Sequence, residues 1–96
     1  MLPFKQKSIG KNKVIRTFSS DTANEEFKWH RDAEERIITP LVETDWKIQI
    51  DNHLPMAING SISIPAGVYH RIIKGTGNLH LEIEMLEKKE IDGKNL

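Results

Sequence analysis

The chain is 96 residues long, the usual length of one domain and too short for two. Its 14 basic and 14 acidic residues cancel, so no global field recruits nucleic acid or acidic lipid. It contains no cysteine, which excludes disulfide frameworks, thiolate zinc sites and cysteine nucleophiles.

Taken in chain order, residues 1–12 read as a basic N-terminal arm. Lys5, Lys7, Lys11, Lys13 and Arg16 fall in the first sixteen positions with no acid among them. No apolar run there suits a signal peptide, and no stretch approaches a membrane span. The expectation is a cytoplasmic protein with no membrane and no nucleic-acid partner. From residue 13 the pattern turns to period two. KVIRTF, EFKWHR, ERIITPLVE, WKIQID, SISIP, YHRIIK and LHLEIEML are short runs rich in β-branched and aromatic residues. SSDTAN, ETD, DNHLP, NG, PAG and KGTGN punctuate them as turns. Asp21 suits the N-cap of a single helical turn, and Pro40 belongs at an edge or bulge. In WKIQI, Trp46, Ile48 and Ile50 alternate with Lys47 and Gln49. In LHLEIEM, Leu79, Leu81, Ile83 and Met85 alternate with His80, Glu82 and Glu84. One buried and one wet face per strand is the signature of an antiparallel barrel or sandwich. The fold class is therefore all-β, a single domain over residues 13–86, followed by a charged tail over 87–96.

The sharpest local signature is Gly60-Ser-Ile-Ser-Ile-Pro65-Ala-Gly67-Val-Tyr-His70. Pro65 fixes φ at a strand exit, and Gly67 supplies the positive φ such a turn demands. His70 alternates with Ile72 and so shares its face. A buried imidazole there needs a hydrogen-bond partner or a metal.

Pro-x-Gly-x-x-His after a Gly-led strand resembles the second motif of the cupin superfamily, in which the histidine ligates a metal inside the barrel. There is one residue fewer between Gly60 and Pro65 than the family usually has, and Lys74 stands where asparagine is usual. The family's first motif, His-x-His followed by glutamate, is best matched by Trp29-His-Arg-Asp-Ala-Glu-Glu-Arg36. His30 falls on the first histidine, Asp32 replaces the second, and Arg36 falls on the glutamate position. The resemblance implies a cupin-type antiparallel β-barrel (a double-stranded β-helix, or jelly roll). It also implies a range of activities that includes dioxygenases and isomerases.

The residues themselves support a metal site. Positions i and i+2 of a strand share a face with Cα atoms roughly 6.5–7 Å apart, so His30 and Asp32 can converge on one ion. With His70 they make two imidazoles and one carboxylate, the facial set of non-haem Fe(II) sites, which also accepts Mn, Ni or Zn. Glu34 or Glu35 is the alternative carboxylate, depending on register. Without metal, Asp32 pairs with an arginine, and a pocket lined by Arg36, Gln49 and Trp46 suits an anionic or sugar-like small molecule. His53 reads as exposed, His80 with Glu82 and Glu84 as outer face, Trp29 as core or mouth, and Tyr69 as outward-facing. Open strand edges predict a homodimer.

Overall fold

A computed structural model describes residues 4–21 and 27–86, and the expected helical turn after Asp21 and the tail 87–96 lie outside these. The described residues form eight strands: β1 (Phe4–Gly10), β2 (Lys13–Phe18), β3 (Arg36–Pro40), β4 (Lys47–Ile50), β5 (Met56–Ala57), β6 (Ile62–Ile64), β7 (His70–Ile73) and β8 (Leu79–Met85). They make a five-stranded sheet in the order β1-β2-β8-β3-β6 and a three-stranded sheet in the order β5-β4-β7. Every pairing is antiparallel. No helix occurs among the described residues, and so none is long and apolar enough to cross a membrane.

Alternation builds both walls. Leu79, Leu81 and Ile83 of β8 are buried, while His80 sits opposite Thr17 and bonds it at 3.1 Å on the other face. Trp46 and Ile48 are wholly excluded from solvent. Phe18, Phe27 and Trp46 pack with ring centroids 5.6–6.1 Å apart, which adds edge-to-face attraction to their burial.

Two segments differ from the sequence expectation. Residues 4–10, read as a solvated arm, pair along β2 as an edge strand, turning at Asn12 with φ 59°. Only Phe4 of β1 is partly covered, stacked edge-on to Phe18 at 5.5 Å. The run EFKWHR, read as a strand, contributes a single bridge between His30 and His70. Its continuation, Arg31 to Glu35, is almost entirely polar and has no apolar face to bury, so no ladder extends there. Pro40 ends β3. The Leu41 N–H turns to His80 on β8, so the Pro40 nitrogen faces β6, whose pairing has already stopped at Ile38.

The turn between β7 and β8 is clamped from the β3–β4 connection. Asp45 Oδ1 accepts the Thr76 N–H at 2.8 Å, and Oδ2 accepts the Thr76 hydroxyl at 2.7 Å. A Cβ on Gly75 would stand 2.8 Å from the Trp46 nitrogen, so the close approach needs glycine. The Thr76 bonds hold the Asp45 carboxyl below its ordinary value of 3.8. A carboxyl depressed in the folded state adds stability above its unfolded value, and the gain is lost as pH falls through the folded one. Asp45→Asn is therefore expected to lower the urea midpoint at neutral pH and to converge on wild type below the usual aspartate range. A deficit that persists unchanged in acid would place its cause elsewhere.

Candidate metal centre and its cavity

His70 opens β7, paired on one side with Ile50 of β4. On its other side it exchanges two main-chain hydrogen bonds with His30, at 3.0 and 2.8 Å. Residues so paired lie directly opposite with side chains on one face, and the two rings stand edge to face with centroids 4.3 Å apart. The turn before β7 follows from Pro65-Ala-Gly67. Gly67 has φ 75° and Val68 N–H reaches Pro65 O at 3.4 Å, the signature of a type II turn. In the same turn the Gly67 N–H donates to Asp32 O at 2.8 Å. One tight turn thus presents His70 and anchors the main chain of Asp32.

Both imidazoles are oriented by main-chain carbonyls. His30 Nδ1 lies 3.0 Å from Lys28 O, and His70 Nδ1 lies 2.9 Å from Val68 O. A carbonyl only accepts, so each Nδ1 carries the proton and each Nε2 presents a lone pair when the ring is neutral. Desolvation lowers the His70 pKa from its ordinary 6.5, against the opposing bond to Val68, and the ring is neutral at physiological pH. Its Nε2 stands 3.2 Å from Asp32 Oδ2. That oxygen is buried and receives no hydrogen bond.

Two lone-pair atoms facing each other without a proton between them is a costly arrangement unless a cation joins them. Metal bonds of about 2.0–2.2 Å at right angles place neighbouring ligand atoms roughly 3 Å apart. Ligand atoms of His30, Asp32 and His70 lie within 4.8 Å of one another, so the donor set fits a divalent transition metal. The alternative carboxylates are engaged elsewhere. Glu34 Oε1 accepts from Arg36 Nε at 2.9 Å and Nη2 at 2.7 Å. Glu35 Oε2 accepts from the Ser63 hydroxyl at 2.6 Å. Arg36 Nη2 also stands 3.4 Å from Asp32 Oδ1, holding the oxygen that does not face His70.

A cavity of about 340 Å³ opens over this group between the two sheets, a size suited to a small metabolite. His30, Asp32, His70 and Arg36 line it, with aliphatic walls that include Ile38, Ile64 and Ile72. Two residues expected in the lining are not there. Gln49 is on the far face of β4, where its amide donates to His53 O at 3.0 Å and its oxygen accepts from Arg71 Nε at 3.0 Å. Trp46 lies one layer deeper, beneath Phe18 and Phe27, which themselves form the lining. Trp29 and Tyr69 are exposed, under the guanidinium groups of Arg71 and Arg31. His53 is exposed too.

The charged lining residue Arg16 is not among those the sequence singles out. Arg16 was grouped with the basic arm, yet it alternates with Val14 and Phe18, both buried. That phase turns its guanidinium into the cavity. Burial first, and then the charge of Arg36, lower its pKa to about 10, so it stays charged at neutral pH.

No protein-family model matches the sequence, and no curated protein matches it. Solved structures do. DMSP lyase DddQ from Ruegeria pomeroyi DSS-3 superposes with a TM-score of 0.66 at 12% identity, over 81% of this chain and 39% of that one. HppE in its Co(II) form with Tris buffer gives 0.66 at 16% identity, over 90% of this chain and 55% of that one. A putative mannose-6-phosphate isomerase from Ralstonia eutropha JMP134 gives 0.63 at 16% identity, over 88% and 83%. The chain thus spans well under two thirds of the first two. Likeness at such identities speaks for architecture, and the architecture is the antiparallel cupin barrel.

Proposed function

We propose that this chain is a small metal-dependent cupin that holds a divalent transition metal through His30, Asp32 and His70 and acts on a small polar molecule, with dioxygenase or isomerase chemistry. The observation that carries the reading is Asp32 Oδ2, buried, without a donor, and 3.2 Å from the Nε2 of His70. When bound, such an ion supplies a Lewis acid with open positions for water, O₂ or a chelating substrate. The protein does the rest. Lys28 and Val68 carbonyls fix the ring tautomers, Gly67 anchors Asp32, and the isoleucine walls give the cavity an apolar side. Fe(II) and Co(II) forms of HppE among the structural neighbours support metal chemistry on this barrel, and a lyase and a putative isomerase support its use for catalysis.

A second reading is a metal-free cupin that binds a small anionic or sugar-like ligand. One observation favours it, the presence of Arg16 and Arg36 in one lining. Metal content by elemental mass spectrometry, on protein purified without a histidine tag, decides between them. Near-stoichiometric Fe, Mn, Ni or Zn that disappears in His70→Ala is the expected result. No metal in wild type, even after reconstitution, would overturn the first reading and leave the second.

A further inference from the structure

Arg16 is a half-buried cation whose bonded partners among the described residues are all neutral. Its Nε donates to Gln6 Oε1 at 2.8 Å and its Nη2 to the same oxygen. Its guanidinium carbon lies 3.9 Å above the Phe4 ring. Gln6 is its direct partner across the β1–β2 ladder, so the edge strand holds this cation in place. Neither partner supplies a negative charge; Asp32 attracts the guanidinium without bonding it, and a desolvated charge lacking a bonded counter-ion is costly. Arg36 differs, since Glu34 and Asp32 both compensate it. Lys28, at the cavity rim, is exposed and compensated by solvent. Among the described residues neither arginine donates a hydrogen bond through Nη1. The lining therefore carries one arginine that no carboxylate bonds among the described residues, above aliphatic walls, on the sheet that faces the imidazoles.

We propose that the cavity takes a small organic monocarboxylate, with its carboxylate received by Arg16 beside Arg36 and its aliphatic part against Ile38, Ile64 and Ile72. A single guanidinium without a bonded carboxylate calls for a monoanion rather than a dianion, and the isoleucine walls call for an apolar stem. Lys28 at the mouth favours entry of the anion. The inference rests on the cavity being the substrate site, as proposed above, but it does not rest on the metal.

The test uses the full chain, with and without added zinc, titrated with sodium hexanoate and with the neutral isostere hexanamide while amide and arginine side-chain NMR shifts are followed. Hexanoate is expected to bind metal-free protein about tenfold or more tightly than hexanamide, the size of effect a charged hydrogen-bonded pair gives. Arg16→Gln should bring hexanoate down to the hexanamide level, and Arg16→Lys should recover part of the preference. Equal binding of the two compounds by wild type would overturn the inference even if neither variant folded. So would full hexanoate affinity in Arg16→Gln. Zinc bound without a carboxylate preference sinks this inference and leaves the metal site standing. A carboxylate preference in a protein that takes up no metal does the reverse.

Discussion

Replacing Asp32 by asparagine is expected to weaken metal binding more than a hundredfold while leaving the metal-free protein at least as stable as wild type. Loss of a group that only orients a metal ligand already costs about 10–100-fold in affinity, and Asp32 is the sole charged member of the ligand set. Asparagine keeps the shape but removes the negative charge. In the metal-free state the sign reverses. Asp32 Oδ2 has no donor and faces the lone pair of His70 Nε2 at 3.2 Å. An asparagine Nδ2 at that place donates to Nε2 and converts a repulsive contact into a hydrogen bond, worth about 1 kcal/mol net. The loss on the other side is small, because Arg36 keeps its shorter contacts to Glu34 at 2.7 and 2.9 Å. Zinc affinity by competition with a chromogenic chelator, and urea midpoints with and without chelator, measure both halves. Wild-type zinc affinity in Asp32→Asn would remove Asp32 from the site. A marked loss of metal-free stability would show instead that the carboxylate is held for its ion pair with Arg36. His70→Ala cannot separate these cases, since it removes a buried ring along with the ligand atom.

Much of the fold around this site was legible in the sequence because period-two alternation fixes which residues share a face. LHLEIEM places Leu79, Leu81 and Ile83 inward without further information, and Pro65-x-Gly67 places a turn ahead of His70. Alternation fails where both faces are polar. FKQKSIG has one apolar anchor at its start, and its pairing with β2 is main-chain hydrogen bonding that side chains do not advertise. His30 and Asp32 come together although they are not on a strand. Their meeting depends on a bridge to His70 and a bond to Gly67, contacts 40 and 35 residues away in sequence that no local pattern encodes. Arg16 is the instructive miss. The signal was present, since KVIRTF alternates Val14, Arg16 and Phe18, but counting its charge with the neighbouring lysines hid its phase. Gln49 shows the converse error. Its alternation with Trp46, Ile48 and Ile50 already placed it on the wet face.

Trp46→Ala is expected to bring the protein close to unfolding, whereas Trp29→Ala leaves stability within about 1 kcal/mol of wild type. The contrast follows from placement. Trp46 is wholly excluded from solvent while Trp29 is 42% exposed. Truncating a buried tryptophan costs about 3–5 kcal/mol in transfer and cavity energy. A domain of this size has only about 5–15 kcal/mol in total. The indole also donates from Nε1 to Gly77 O at 3.0 Å, so its loss strips a partner from the turn that Asp45 clamps. Phe18 and Phe27 rest on the Trp46 ring at centroid distances of 6.1 and 5.6 Å and line the cavity on their other side. Removing their support loosens the cavity wall as well as the core. Urea unfolding of both variants, followed by near-ultraviolet circular dichroism, reads the difference directly. Equal midpoints would mean that Trp46 is not the residue on which the two sheets close, and the depth assigned to the cavity would be wrong with it. A large Trp46 effect accompanied by weaker zinc affinity, with His30, Asp32 and His70 untouched, would show that the aromatic layer sets the spacing between the imidazole wall and the arginine wall.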